Sequence, residues 1–375
     1  MPKKKGPPTL DWALARERAE GALLGLAVGD AFGTTNEFKR LDAPIFPELC
    51  TGLQTEIVGG GPFSLKRGQV TDDTQMATCL AHVLKTERQL DPVVLAKSYR
   101  TWADVAFDIG TQTKGTLLLL DDRWPPTHTG KKYWVENAQD AAGNGSLMRT
   151  APIGVFYFQD DKARRAASFD DSAITHFDPR CQLACAAFNS AIAAAVGRVE
   201  PELNLEKLVA AAEKELHVAA AELGHRHPEF VTRIQLGSDD LQEDLRLARA
   251  SDPLLYGPQH HLLQQQGFVR IAFRLAFWEL LHAPSFSAAI IDVANRGGDS
   301  DTNAAITGAL LGATYGAGAI PREWGDTVLQ ALELDRSPFG TTYHPRELVS
   351  LVEALHPVEP AAPAKRPMPP PKGSR

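Results

Sequence analysis

The sequence predicts an all-α protein: a compact, mostly orthogonal bundle of many helices. No segment alternates apolar and polar residues with the period of two that a half-buried strand requires, and alanine and leucine dominate the helical patterns. Two remote segments also carry small residues at every fourth position. They are Gly21, Gly25, Gly29 and Gly33 near the start, and Ala304, Gly308, Gly312 and Gly316, with Ala305, Ala309, Ala313 and Ala317 beside them, near the end. A glycine inside a helix costs about 1 kcal/mol relative to alanine, so whole rows of them imply close backbone packing. The two helices are therefore expected to touch. With 375 residues and 43% hydrophobic content the chain can bury a large core, and a single domain over residues 11–356 is expected.

Taken in order, residues 1–10 form a polar leader, expected to be disordered. Residues 12–32 have a helical pattern, and 41–70 form a loop-rich connection around Gly59-Gly60-Gly61-Pro62, which no Gly-Lys-Ser/Thr follows and which is therefore not a P-loop. Helical patterns resume over 73–84 and 92–106, the second with Asp91 as a cap ahead of Pro92. A polar hinge at 108–113 leads to a helix ending near Leu120. The apolar run 151–158 is too short for periodicity to separate helix from strand.

Residues 181–196 are strongly helical, and 201–266 are more polar, a cap-like segment of amphipathic helices. Its His260-His261 pair faces two directions on a helix and has no third partner spaced to complete a metal site. Helices follow over 268–281 and 285–295. The nearly uncharged run 304–320 approaches the lower length limit of a membrane span, but its Gly and Ala content and charged head suit a buried helix better. The Pro-rich tail 357–375 is expected to be disordered.

A net charge of −7 and the lack of a dense Lys/Arg stripe exclude a nucleic-acid binder that works by phosphate neutralisation, though not a small nucleotide-like ligand. The four cysteines include no CxxC pair and suit buried thiols in a reducing compartment. Behind the basic N-terminus there is no apolar signal segment, so a cytoplasmic monomer is the expectation.

Chemistry enters at Gly297-Gly298-Asp299-Ser300-Asp301-Thr302-Asn303, where two glycines and then oxygen-bearing side chains precede an apolar helix. Such residues are also ordinary N-caps. A second cluster, Thr71-Asp72-Asp73-Thr74, stands at the head of another apolar helix. Adjacent Asp72 and Asp73 would repel strongly if buried, which calls for a cation; exposed, they would merely complement the helix dipole. Hard oxygens in this pattern suit Mg²⁺ or Mn²⁺. If the first and last small-residue helices touch, Asp30 and Glu37 arrive beside Asp299 and Asp301; otherwise Asp30 is a surface acid and Glu37 a solvated loop residue.

Together these pieces resemble the ADP-ribosylglycohydrolase family, which includes the dinitrogenase reductase-activating glycohydrolases and the ADP-ribosylarginine hydrolases. The resemblance rests on Gly21 to Gly33, on Thr71 to Met76, on Asp108-Ile109-Gly110, on Asn144 to Arg149, on Thr175-His176 and on the stretch around Asp299. It implies a metal-dependent hydrolase with an all-helical fold. It also implies two Mg²⁺ or Mn²⁺ ions held by Thr71, Asp72, Asp73, Asp299, Asp301 and Thr302. Glu37 matches a glutamate over the metals and the substrate ribose, and Asp108, Ile109 and Gly110 match a substrate-side loop of arginine-specific members. Asn144, Gly145, Ser146 and His176 match positions lining an ADP-ribose cleft.

An N-glycosidic bond at an anomeric carbon breaks through an oxocarbenium-like state that needs a placed water and charge stabilisation. Two cations about 4 Å apart can grip vicinal ribose hydroxyls and activate a water, with Asp299, Asp301 or Glu37 as proton acceptor. The expected substrate is ADP-ribosylated protein, with arginine as the favoured linkage. Serine-linked or nucleobase-linked ADP-ribose, a non-catalytic ADP-ribose binder, and a metal-dependent hydrolase that releases phosphate from nucleosides are the alternatives.

Overall fold

Among the described residues seven helices open on a side chain that accepts a backbone N–H at the first turn: Asp11, Asp91, Asp160, Asp178, Asn204, Ser285 and His344. Asp91 accepts from Val93 and Val94, with Pro92 at the first helical position. In the computed structural model, which describes residues 9–355, the chain runs α1 (Trp12–Gly33), α2 (Asp72–Glu87), α3 (Pro92–Ala103), α4 (Thr111–Leu117) and α5 (Pro126–Glu136). There follow α6 (Ala151–Phe156), α7 (Asp161–Thr175), α8 (Pro179–Val196), α9 (Leu205–Arg226) and α10 (Val231–Ala248). The last five are α11 (Val269–His282), α12 (Phe286–Asn295), α13 (Ser300–Tyr315), α14 (Arg322–Gln330) and α15 (Pro345–Val349). Among the described residues β-structure is limited to isolated bridges. The leader, for all but its last two residues, and the tail 357–375 lie outside the described residues.

The core is built on α1 and α13, which run antiparallel in direct backbone contact. A Cβ added to Gly21, Gly25, Gly29 or Gly33 would fall 2.2, 2.2, 2.0 or 2.3 Å from the carbonyl oxygen of Gly312, Gly308, Ala304 or Ser300. No side chain fits at those distances, so the expected contact is present and the glycine rows are its cause. From Gly21 to Gly33 every residue of α1 is buried, as is all of α13 up to Thr314. α8, α11 and α12 pack against α13, and α2, α14 and α15 pack against α1. No helix among the described residues is long and apolar enough to cross a membrane.

The run 151–158 is a short helix, α6, rather than a strand. The polar region after Pro201 forms α9 and α10, which pack against α8 and α11. From this region only its C-terminal end reaches the mouth of the cleft, at Gln266 and Gly267.

Candidate active site

The close α1–α13 seam sets the depth at which the C-terminal end of α1 meets the start of α13, and α2 begins at the same point. Thr71 Oγ1 lies 3.2 Å from Asp73 Oδ2 and 3.4 Å from Asp301 Oδ2, while Thr302 Oγ1 lies 3.5 Å from Asp73 Oδ2. The two oxygen clusters, remote in sequence, therefore converge. Thr71 and Asp299 stand at the N-cap positions of α2 and α13, yet neither side chain makes a capping bond. Thr71 Oγ1 faces Asp30, Asp73 and Asp301 instead, and Asp299 Oδ2 accepts from Asn144, so simple capping does not explain these residues.

Left-handed glycines shape the approach. Gly297 and Gly298 have φ of 71° and 70°. A Cβ on Gly297 would sit 2.3 Å from Lys39 O. The Phe38 N–H donates to Gly298 O at 2.7 Å, and the Gly298 N–H donates to Lys39 O at 2.9 Å. That short ladder fastens the segment carrying Glu37 to the turn carrying Asp299.

Asp72, Asp73 and Asp301 are buried, and so is Glu37, while Asp299 is half-buried. Burial first, then Asp301 and Asp108 nearby, pushes the Glu37 carboxyl up to about 11; burial, then Asp72 and Asp301, pushes Asp108 up to about 10. Asp72 is raised to about 7, while Asp73 and Asp301 are raised well above the carboxylate range, in each case by burial and then by neighbouring acids. Asp299 is raised by burial, against which Asn144 and Thr302 pull down. Glu37 Oε2 and Asp73 Oδ1 are buried with no hydrogen-bond partner, and carboxylate oxygens of Glu37, Asp108 and Asp301 lie within 4.8 Å of one another. Crowded acids with orphaned oxygens and two nearby hydroxyls are a donor set that fits hard divalent cations.

Asp30 lies directly beneath this group. Its Oδ1 accepts the Thr71 hydroxyl at 2.9 Å and the Thr71 N–H at 3.0 Å; its Oδ2 accepts the Thr74 hydroxyl at 2.5 Å and the Thr74 N–H at 3.1 Å.

Above the acids opens a cavity of about 370 Å³ lined by Glu37, Asp72, Asp108, Gly110, Asn144, Gly145, His176, Asp299, Asp301 and Thr302. Asn144 Nδ2 donates to Asp299 Oδ2 at 2.6 Å. His176 stands against Gly143 and Gly145, where a Cβ would meet its ring at 3.1 and 2.8 Å. Burial, with Arg149 behind it, pushes the His176 imidazole well below its usual range, so the ring is neutral. Arg149 is itself buried, paired with Asp171, and donates to Gly145 O at 3.2 Å.

Two expected cleft residues are elsewhere. Ile109 turns into a neighbouring hollow with Ala103, Ala106 and Leu117, because an apolar side chain beside Asp108 gains more from the core. Ser146 is wholly buried below the cleft, where its Oγ accepts from Ser172 Oγ at 2.9 Å. Thr71 and Asp73 form the floor rather than the wall. Sequence reasoning did not pick out Phe38, Gln112, Thr113, Met148, Gln266 and Gly267, which line the same cavity. Met148 lies within the Asn144 to Arg149 motif and Gln112 and Thr113 within the polar hinge, but at the others the sequence signal was only nearness to a glycine or an acid already singled out.

The model of the ADP-ribosylglycohydrolase family matches residues 11–361. The chain is 30% identical over 338 residues to the ADP-ribosylarginine hydrolase Tri1 of Pseudomonas putida, covering 85% of this chain and 76% of that protein. It is 27% identical over 315 residues to the ADP-ribosyl-[dinitrogen reductase] glycohydrolase of Rhodospirillum rubrum, covering 82% and 89%. A solved ADP-ribosylglycohydrolase-related protein complex superimposes with a TM-score of 0.65 at 26% identity, over 91% of this chain and 98% of that one.

Proposed function

The chain belongs to the ADP-ribosylglycohydrolase family and is an ADP-ribosyl hydrolase, and from that premise we propose that it cleaves the N-glycosidic bond joining ADP-ribose to an arginine side chain of a modified protein. The observation that carries this reading is the convergence of Thr71, Asp72 and Asp73 with Asp299, Asp301 and Thr302 at the floor of a cleft. These six residues would hold two divalent cations, Mg²⁺ or Mn²⁺. When bound, the ions would supply positive charge for the ribose hydroxyls and offset the repulsion among the buried acids.

The chain's own groups divide the remaining work. Water attacks the anomeric carbon as the carbon–nitrogen bond breaks, and its proton passes to Glu37, Asp299 or Asp301. Glu37 can take this proton only as the ionised carboxylate, a form that cations held beside it would favour over the raised value that burial and its acidic neighbours impose, and its Oε2 has no partner to give up. Neutral His176 and the Asn144–Gly145 turn form a polar wall for the rest of the ligand. Asp108 and Glu37, two acids on one side of the cavity, offer carboxyl oxygens that can accept the N–H groups of a guanidinium. The similarity to an ADP-ribosylarginine hydrolase of Pseudomonas putida and to an ADP-ribosyl-[dinitrogen reductase] glycohydrolase of Rhodospirillum rubrum supports arginine and a protein substrate.

The test is to incubate purified protein and Mn²⁺ or Mg²⁺ with defined arginine-linked, serine-linked and nucleobase-linked ADP-ribose, and to identify products by mass spectrometry. Free ADP-ribose from the arginine substrate alone is expected. Release from another linkage only would overturn the arginine assignment, and inorganic phosphate or no product would overturn the reaction.

A further inference from the structure

Asp30 reaches no part of the cleft wall and is fully buried, and its bonded partners are four uncharged donors from Thr71 and Thr74. Three carboxylate oxygens surround Thr71 Oγ1: Asp30 Oδ1 at 2.9 Å, Asp73 Oδ2 at 3.2 Å and Asp301 Oδ2 at 3.4 Å. A threonine hydroxyl has one proton and can donate to only one of them. Asp30 is the nearest, and its three other donors lock its position. The Thr71 lone pairs are then left facing Asp73 and Asp301, an oxygen-to-oxygen contact that is repulsive unless a cation stands between them.

We propose that Asp30 is a positioning residue that makes Thr71 a cation ligand, by drawing the hydroxyl proton to the side away from Asp73 and Asp301. The same carboxylate accepts the backbone N–H groups of Thr71 and Thr74 and so fixes the first turn of α2, which carries Asp72 and Asp73. This role rests on the cation reading proposed above. It needs a buried acid at the end of α1 and not merely a polar one: in Asp30→Asn one side-chain atom becomes a donor, and a threonine hydroxyl must turn round to meet it.

Calorimetric titration of the full chain with Mn²⁺ tests this, using wild type, D30N, T71V and the double variant. D30N is expected to bind Mn²⁺ about tenfold to a hundredfold more weakly, with an unchanged circular dichroism spectrum in chelator. In the T71V background D30N should cost clearly less than in wild type, because the hydroxyl route is gone and only the backbone contacts to the first turn of α2 remain; a merely structural Asp30 would add its full loss there. Wild-type affinity in D30N, or additive losses, would overturn the proposal. Should D30N not fold, the Thr71→Ser and Thr71→Val pair decides, since serine keeps the hydroxyl and valine with wild-type affinity would overturn it. A wild-type chain that takes up no Mn²⁺ would instead overturn the cation reading on which this role depends.

Discussion

At Thr71 and Asp299 two side chains occupy capping positions without capping, and the freed oxygens are what the site is made from. Removing one charge from that set should be felt at once. Asp301→Asn is expected to lower kcat by roughly a hundredfold to a thousandfold with the fold retained, as checked by steady-state kinetics on arginine-linked substrate; full activity would remove Asp301 from the machinery. A second acid, away from the cleft, gives a pH signature. Glu279 is fully buried with both oxygens lacking partners, and burial, then Asp292 beside it, raises its carboxyl well above the usual range. The folded chain keeps that proton after the unfolded chain has lost it, so its stabilising contribution is complete below about pH 4.5 and is lost as pH rises through the folded value. Glu279→Gln, which carries no charge at any pH, should therefore gain on wild type in melting temperature between pH 5 and pH 9, by a few degrees for each ~1.4 kcal/mol. An equal difference at both pH values would refute this. The acids at 72, 73, 299 and 301 were legible in the sequence because carboxylates crowd beside glycines and helix starts there. Ile109 and Ser146 were not, since a residue's direction at a turn depends on what packs beneath it.

At the level of helices, the α1–α13 seam is the element on which the rest is hung. Gly25→Ala would place a methyl carbon 2.2 Å from Gly308 O and 3.2 Å from the Phe286 ring. The expected cost is about 1–3 kcal/mol or more, because rigid backbone must move apart. Urea unfolding measures it, and a Gly25→Ala chain as stable as wild type would mean that the two backbones can separate freely. This seam was readable because small residues at every fourth position have few other uses in a helix. α5 and α7 left no comparable sign. α7 buries Arg164, Arg165, Ser168, Asp171 and Ser172 among Ala167, Phe169, Ala173 and Ile174, so its inward face is mixed and its apolar stripe is interrupted by polar residues. Asp171 is needed there, since it holds Arg149 and through it the Gly145 carbonyl at the cleft. The polarity that hid this helix in the sequence belongs to the support of the site.

Across the whole molecule, ligation of buried acids should appear as stability. Binding only to the folded chain adds about 2.7 kcal/mol when the free ion is a hundred times its Kd, so Mn²⁺ or Mg²⁺ should raise the melting temperature by several degrees and chelator should reverse the gain. A thermal shift assay with millimolar ion and no response would contradict ligation. Assembly order is a further matter. Gly25 meets Gly308 and Asp30 sits under Asp301, so the first long helix lacks its most closely packed partner until α13 has been made, although α2, α6 and α8 come earlier. Closing so large a loop is entropically slow. A nascent chain would thus hold the glycine face of its first helix uncovered for most of its synthesis, and an N-terminal fragment ending before residue 300 would carry only one of the two acid clusters.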